Sequence, residues 1–390
     1  MPHPRAGASL AAFILLLAAC SSASESPTPE VSSSGTAYIE PHLAERRIPG
    51  RAERAAFELA LEHAGHDPKA VRLWVANYGF SYLLGLNTSG KKIVDTIDVG
   101  SKGCLSPNSI KVDASQNLWI DCFNGPTPPG VGIGKTGVEQ EYSADGSLRA
   151  TYQFNGCRKS WTQCMAFSDD GGPDNHGHVF VDRSYGQYEL GGHWYYINPG
   201  FYWWNAGRAK QKPHFVDLGG THCSPICQVL FMDTDNSGNI WFTYSGVSGS
   251  AQFWGLAEVT NPTTKPKLVM IFGPGHYKLA DGVFRSDGGN TLNVVDSGTQ
   301  QVYQYRLPVT PASTPLRTLG PTPTGYSSGS YTLGWPQTGG FNKAGTKVAI
   351  GDADGWLDVG TAASNEWTAV LNLKLISGGT FGASYTPSDR

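Results

Sequence analysis

The sequence predicts an all-β protein built as a six-bladed β-propeller, and three observations lead to that prediction. The 390-residue chain contains 49 Gly and 25 Pro, with 16% charged and 11% aromatic residues, a composition that suits short strands joined by tight turns. Beyond residue 70, helical periodicity almost disappears. A short apolar strand core that follows an acidic or Gly/Asn turn recurs six times along the same region.

Each repeat has an apolar residue at the start of its strand core. These residues lie 45, 61, 61, 52 and 56 positions apart: Leu73, Leu118, Val179, Ile240, Leu292 and Val348. Common propeller repeats are about 40 to 50 residues long, and loop insertions lengthen them. A short apolar strand precedes each core and further strands follow it, so we expect four antiparallel strands per repeat, closed around an axis.

The segments before the propeller differ from it in composition. Residues 1–19 carry Arg5 and an apolar run at 8–17, which is too short to span a bilayer and is typical of a signal peptide. Residues 20–50 are rich in Ser, Pro, Thr and Glu and predict a flexible tether. Good helix formers predict one short helix at 51–66, and the propeller domain is expected over 67–385.

The signal peptide ends in LAAC at residues 17–20. This ending resembles the lipobox of bacterial lipoproteins, and the alternative is an ordinary secretory signal. The resemblance implies that Cys20 is acylated and becomes the N-terminus, which would hold the protein stably at a membrane. Ser21 and Ser22, with no Asp after Cys20, resemble the outer-membrane sorting pattern. We therefore expect a lipid-anchored protein of the cell envelope, at the outer membrane or on its periplasmic or extracellular face.

Six cysteines remain after Cys20, and they lie in three pairs that are local in sequence. In an exported protein such pairs favour disulfides. The expected disulfides are Cys104–Cys122, Cys157–Cys164 and Cys223–Cys227. The alternative is a metal cluster, but the chain has no C-x-x-C and the pair at 223–227 has only His222 nearby.

The stretch FMDTDNSGNIWF at residues 231–242 begins like a calcium-binding loop. Asp233, Asp235, Ser237 and Gly238 fit its first positions, but the twelfth position is Tyr244 where the loop needs a bidentate Glu. We interpret the stretch as the turn of the fourth repeat, in which Asp and Asn side chains bind the backbone. A weakly held calcium ion at Asp233 and Asp235 is the alternative.

Two stretches resemble known families of propellers. PNSIKVDASQNLWI at 107–120 is similar to the NHL repeat, and residues 281–307 are similar to a blade of the senescence-marker-protein-30/gluconolactonase type. In that second family a Glu, an Asn and an Asp hold one divalent metal at the central channel, and the enzymes act on lactones or esters. The resemblance implies Asn108 and Asp281 as candidates, whereas no matching Glu is found; Gln228 is a further candidate for the central channel. The alternative is that Asn108 and Asp281 cap strand ends.

Aromatic residues are concentrated in GHWYYINPGFYWWNAG at 192–207. Adjacent rings on a strand point to opposite faces, so alternation cannot bury all of them. We expect some rings to be exposed or inserted between blades, and the exposed ones are candidates for binding a glycan or protein; the alternative is packing between sheets around a hairpin turn at 198–200. The candidate residues are Trp194, Tyr196, Tyr202, Trp203 and Trp204.

Other signatures of function are missing from the sequence. It contains no G-x-S-x-G, H-E-x-x-H or P-loop motif. A net charge of −3 and a pI near 6.4 argue against nucleic acid as a partner, and we expect a monomer. Two functions remain: a binding or scaffolding module for a glycan, small molecule or protein, and a metal-dependent lactonase or esterase. The sequence identifies no catalytic residue and no certain cofactor.

Overall fold

The computed structural model describes residues 65–77, 80–87, 90, 92–122, 136–155, 164–190, 193–218, 226–248, 251–285, 290–320, 336–342, 344–352, 356–372 and 380–386. Strands account for most of these residues, and they form a six-bladed β-propeller, as the sequence predicts. Of the expected helix at 51–66, only Gly65 and His66 lie within the described residues, where the backbone is irregular. Among the residues described, no helix is long and apolar enough to cross a membrane.

Each blade is a four-stranded antiparallel sheet, in which the strands follow one another from the innermost to the outermost. Blade 1 consists of β27 (Thr380–Tyr385), β1 (Leu73–Asn77), β2 (Tyr82–Leu86) and β3 (Ile93–Asp98). Blade 2 consists of β4 (Pro107–Val112), β5 (Leu118–Cys122), β6 (Thr136–Tyr142) and β7 (Leu148–Asn155). Blade 3 consists of β9 (Gly171–Pro173), β10 (His178–Arg183), β13 (Gly200–Asn205) and β14 (His214–Asp217).

The second half of the ring repeats this order. Blade 4 consists of β15 (Gln228–Thr234), β16 (Ile240–Ser248), β17 (Ala251–Thr260) and β18 (Lys267–Tyr277). Blade 5 consists of β19 (Ala280–Arg285), β20 (Thr291–Asp296), β21 (Gln301–Arg306) and β22 (Arg317–Leu319). Blade 6 consists of β23 (Pro336–Phe341), β24 (Lys347–Asp352), β25 (Trp356–Thr361) and β26 (Glu366–Asn372).

The six apolar positions picked out in the sequence all fall at or next to the start of the second strand of a blade. The acidic turn therefore separates the innermost strand from the second strand, and the apolar residue begins the buried part of the sheet. The ring closes because β27, from the C-terminal end of the chain, pairs with β1 in register from Leu73–Tyr385 to Asn77–Thr380. Closure covers the sheet edges that an open array would expose.

An additional three-stranded sheet is inserted in blade 3. It is formed by β8 (Cys164–Phe167), β11 (Tyr185–Leu190) and β12 (His193–Tyr196) in the order β12-β11-β8. The hairpin turn at 198–200, the alternative for the aromatic stretch, is not formed, since β12 and β13 belong to different sheets. β12 pairs with β11, whereas β13 pairs with β10 on one edge and β14 on the other, so β13 has no edge free to pair with β12.

Apolar side chains fill the seam between each pair of neighbouring blades. The cluster between blades 1 and 2 includes Trp74 and Leu118, and the cluster between blades 4 and 5 includes Trp241 and Leu292. Trp119, Tyr152 and Trp204 belong to the corresponding cluster between blades 2 and 3. Burial of these rings removes roughly 150–250 Å² each from water, which makes the seams the main source of stability.

One predicted disulfide lies within the described residues. Cys104 and Cys122 are bonded, with an S–S distance of 2.06 Å, and Cys122 ends β5. The predicted disulfides Cys157–Cys164 and Cys223–Cys227 stay predictions, because Cys157 and Cys223 lie outside the described residues.

Candidate functional site at the start of the inner strands

A β-bulge marks the start of the innermost strand in five of the six blades. The register shifts there in blades 1, 2, 4, 5 and 6. In blade 2 the pairing passes from Pro107 to Ser109 and leaves Asn108 without a direct partner; in blade 5 it passes from Ala280 to Gly282 and leaves Asp281. Bulges re-aim side chains next to functional sites in many proteins. Asn108 and Asp281 thus occupy equivalent positions in two blades.

Asn108 is buried and connects blade 2 to blade 3. Its Nδ2 donates to the backbone oxygen of Asp169 at 2.7 Å and is 3.3 Å from Oδ1 of the same residue. Its Oδ1 is buried and has no hydrogen-bond donor in the described structure. A buried amide oxygen without a donor costs free energy unless a ligand or water supplies one.

The polar contacts continue from Asp169 into blade 4. The Ser184 hydroxyl lies 2.5 Å from Oδ2 of Asp169 and also contacts the backbone oxygen of Val229. Gln228 donates through Nε2 to the Ser184 oxygen at 3.4 Å. Two of the three candidate channel residues, Asn108 and Gln228, are therefore linked through Asp169 and Ser184. We call these four residues the inner polar row; each is at most 3% exposed.

Asp281 lies on β19 in blade 5, and the described structure gives no side-chain environment for it. Within the described residues, no three His, Cys, Asp or Glu side chains are arranged to hold a metal ion. The metal site implied by the resemblance to gluconolactonases consists of a Glu, an Asn and an Asp, and the sequence has no Glu at the matching position. Asn108 supplies an amide oxygen for such a site, and the side chain of Asp281 lies outside the described residues.

A second polar group, which sequence reasoning missed, lies deeper between blades 2 and 3. Asp121 and Glu139 face each other across β5 and β6. Both are fully buried. None of their four carboxylate oxygens has a donor in good hydrogen-bond geometry among the described residues, although the Ser168 hydroxyl lies close enough to Asp121 to lower its pKa. Burial first, and then the neighbouring carboxylates, raises the pKa of both acids well above the ordinary value.

Lys111 and two further aspartates surround this acid pair. Lys111 donates through Nζ to Oδ2 of Asp170 at 2.9 Å and to the backbone oxygens of Gly171 and Met232 at 2.7 Å each. It thus joins blades 2, 3 and 4. Oδ1 of Asp182 accepts from the backbone nitrogens of Asp169 and Asp170 at 2.8 and 3.1 Å. Burial raises the pKa of Asp182 well above its usual range, and neighbouring Asp169 adds to the shift.

The blade registers offer a signal that could have identified these acids. Asp121–Glu139 in blade 2 corresponds to Thr243–Leu256 in blade 4 and to Val295–Val302 in blade 5. Carboxylates therefore stand where blades 4 and 5 carry apolar or small residues, and blade 3 has Asp182 at the position equivalent to Asp121. Along a single strand, each acid alternates with apolar neighbours and is typical of a solvent-facing position.

The calcium-loop candidate Asp235 is a turn residue in the structure. Its Oδ1 accepts from the nitrogens of Ser237 and Asn239 at 2.8 and 3.0 Å, and its Oδ2 accepts from Asn239 Nδ2 and Trp241 Nε1 at 3.1 and 3.0 Å. The neighbouring Asp233 faces elsewhere, accepting from the backbone nitrogen of Arg285 in blade 5 at 2.7 Å. Both carboxylates have protein donors, so the two residues do not converge on an ion.

The predicted aromatic patch is divided between two sheets. Trp194 and Tyr196 lie on β12, and their side-chain environments are outside the described structure. On β13, Trp204 is buried and donates through Nε1 to Gln211, whereas Trp203 is half-buried and stacks on His214 with ring centroids 4.2 Å apart. Tyr202 stacks on Phe154 at 4.1 Å. The residues on β13 therefore do not share one exposed face.

Comparisons with known proteins identify fold relatives only. No protein-family profile and no curated protein sequence matches the chain. Solved structures with similar strand arrangements include a functionally unknown protein from Desulfotomaculum acetoxidans, with 14% identity, 81% of this chain and 88% of that chain covered, and a TM-score of 0.42. A luciferin-regenerating enzyme matches at 12% identity over 68% and 76% of the two chains, with a TM-score of 0.43.

A periplasmic gluconolactonase from Pseudomonas aeruginosa also matches, with 12% identity over 77% of this chain and 82% of that chain and a TM-score of 0.46. Likeness at this level carries no information about which reaction, if any, this chain performs.

Proposed function

We propose that the chain is a membrane-anchored, extracytoplasmic propeller that binds a small polyhydroxylated ligand, such as a sugar, at the start of its inner strands. The observation that carries the proposal is the buried Oδ1 of Asn108, which lacks a donor while the amide nitrogen is held by Asp169. A ligand hydroxyl would supply the missing hydrogen bond. The row from Asn108 to Gln228 places further polar groups, hydrogen-bonded to one another, across three blades.

Fixed orientation of the amide is the reason for assigning Asn108 the recognition role. Since Nδ2 is committed to Asp169, the amide group cannot rotate, and Oδ1 remains an acceptor. An acceptor that is held in place before binding loses little conformational freedom when the ligand arrives. The bulge at this position separates Asn108 from the strand pairing, and a ligand would have to enter the buried inner polar row to reach its Oδ1.

A thermal-shift screen of neutral sugars and sugar alcohols, using full-length chain extracted in detergent, tests this binding. We expect at least one compound to raise the melting temperature, and calorimetry should then show about fivefold weaker binding in Asn108→Ala, the loss of about 1 kcal/mol from one hydrogen bond. Asn239→Ala is the matched control because Asn239 lies in the turn after β15, at the opposite end of the inner strands. Equal affinities in both variants would remove Asn108 from the site.

Membrane anchoring through Cys20 belongs to the same proposal and has its own test. Mass spectrometry of the N-terminal peptide from membrane fractions should detect acyl chains on Cys20, and Cys20→Ser should release the protein from the membrane. An unmodified N-terminus after a cleaved signal peptide would instead indicate ordinary secretion. Neither result affects the argument for Asn108.

A metal-dependent hydrolase acting on lactones or esters is the second candidate. One observation favours it: Asn108 and Asp281 occupy equivalent bulge positions in blades 2 and 5, as the resemblance implies for two of three metal ligands. The third ligand, a Glu, has no match in the sequence. Elemental analysis of the purified chain together with a lactone and ester screen tests this candidate; a bound divalent metal with turnover would replace the binding proposal.

A further inference from the structure

Asp121 and Glu139 lie directly opposite each other in the register of β5 and β6. Directly opposed residues place their Cβ atoms about 4.5–5.5 Å apart, so the two carboxyl groups share one small space. Glu139 also lies against blade 3: a Cβ added at Gly171 would come within 2.3 Å of its Oε2. The pair is thus enclosed between the two blades, with neither residue exposed.

The charged groups facing this space are mostly acidic. β4 contributes Lys111, the segment before β9 contributes Asp169 and Asp170, and β10 contributes Asp182. The Lys111 ammonium already has three partners, Asp170, Gly171 and Met232. Five carboxylates therefore face one ammonium group, which binds Asp170 directly and also acts at a distance to lower the pKa of Asp121 and Glu139. A buried carboxylate without a donor is very unfavourable while it is ionised, and excess negative charge must be neutralised.

We propose that Asp121 and Glu139 form a proton-binding carboxylic acid pair that makes the seam between blades 2 and 3 sensitive to pH. A proton on one acid gives the pair an O–H donor, which the facing carboxyl oxygen accepts. The alternative counter-charge, a metal ion, is disfavoured because no three acidic, His or Cys groups in the described part of the chain are arranged to hold one. This inference does not depend on the proposed ligand.

The direction of the pH dependence follows from the raised pKa of the two acids. The folded protein keeps a proton at pH values where the unfolded chain has already released it. The contribution of the pair to the free energy of unfolding is therefore fully present below the ordinary carboxyl pKa. It is lost as the pH rises towards the higher pKa of the folded protein. Over that window the unfolding equilibrium constant should increase about tenfold per pH unit for each proton held.

Denaturant unfolding of the full chain between about pH 5 and about pH 9 tests the pair. We expect the wild-type unfolding constant to rise with pH, and Glu139→Gln and Asp121→Asn to flatten the rise because each introduces a neutral amide donor next to the remaining acid. Glu366→Gln, an exposed glutamate on blade 6, should keep the wild-type profile. Identical profiles in wild type and Glu139→Gln would overturn the proposal.

Infrared spectroscopy of the wild-type protein gives a result even if a variant fails to fold. A protonated-carboxyl band should be present at neutral pH and should disappear at the alkaline end of the range. Absence of that band at neutral pH would overturn the proposal. So would a melting temperature raised by calcium or magnesium in wild type and not in Glu139→Gln, which would assign the pair to a metal ion.

Discussion

At the scale of single residues, the same turn is built twice with the same atoms. Asp113 in blade 2 accepts from Ser115, from both nitrogens of Asn117 and from the Trp119 indole, at 2.8–3.1 Å. Asp235 makes the corresponding four hydrogen bonds in blade 4. The spacing D-x-S-x-N-x-W is therefore a structural unit, in which one carboxylate fixes the turn and orients a Trp for the seam.

Blade 3 carries a variant of this turn, which explains two histidines. Asp174 accepts from the backbone nitrogens of His176 and His178 at 2.9 and 2.7 Å, and its second oxygen lies 2.8 Å from Nδ1 of His178. His178 takes the place of Asn, and Phe180 takes the place of Trp. A loop with several aspartates and histidines is thus used for folding, as an ordinary hairpin turn.

Replacing Asp235 by Ala should lower the free energy of unfolding by roughly 2–3 kcal/mol, because it removes a charged acceptor shared by four donors. Denaturant unfolding measures the loss, and Asp113→Ala, which alters the equivalent turn, should lose a similar amount. Calcium should leave the melting temperatures of the wild type and of Asp235→Ala unchanged. Stabilisation of wild type by calcium, absent in Asp235→Ala, would show instead that the stretch is an ion site.

At the scale of strands, β13 separates adjacent tryptophans by environment. Trp204 is 2% exposed and packs against Tyr152 with centroids 5.7 Å apart, while Trp203 contacts the His178 and His214 rings at the other face. Trp203 and Tyr202 are half-buried, so they remain the candidates on this strand for contact with a ligand.

Trp204→Ala should cost about 3–5 kcal/mol of unfolding free energy, as expected for a large side chain removed from a core. Trp203→Ala should cost much less, since part of that ring already meets solvent. Thermal and denaturant unfolding of the two variants measure the difference. A glycan array on folded Trp203→Ala then tests the patch, and binding equal to wild type would count against it.

Lys111 holds three blades together and gives a second prediction at this scale. Lys111→Met should lower the unfolding free energy by about 3–5 kcal/mol because it leaves the Asp170 carboxylate buried without its cation. The double variant Lys111→Met with Asp170→Asn should recover part of that loss, since the remaining groups are neutral. Denaturant unfolding of the three proteins measures the coupling, and additive losses would show that the two residues act independently.

The repeats could be predicted from the sequence because each acidic turn and the apolar residue after it are local features, as with Leu118 after Asp113. The inner polar row could be predicted only in part. Asn108 and Gln228 stand at strand starts, but Asp169 and Ser184 reach them through contacts between blades. Asp121 and Glu139 were missed because burial by a neighbouring blade leaves no mark in either strand alone.

At the scale of the whole molecule, stability depends on ring closure. The first blade takes its innermost strand from β27, and Thr386 beyond that strand donates its backbone nitrogen to Arg72 at 2.9 Å. A chain truncated before Thr380 should lose cooperative unfolding, because blade 1 loses its inner strand and two seams lose packing. Removal of residues 387–390 alone keeps β27 and should leave the melting temperature unchanged. Circular dichroism during heating compares the two, and equal melting would contradict closure by β27.

The proposed function of the whole molecule is binding without turnover at the start of the inner strands. The most direct test follows a sugar lactone by NMR in the presence of the purified full-length chain and a divalent metal. We expect saturable broadening of the lactone signals, weaker with Asn108→Ala, and ring opening no faster than in buffer. Faster formation of the hydroxy acid that depends on the added metal would contradict the binding role and establish a hydrolase.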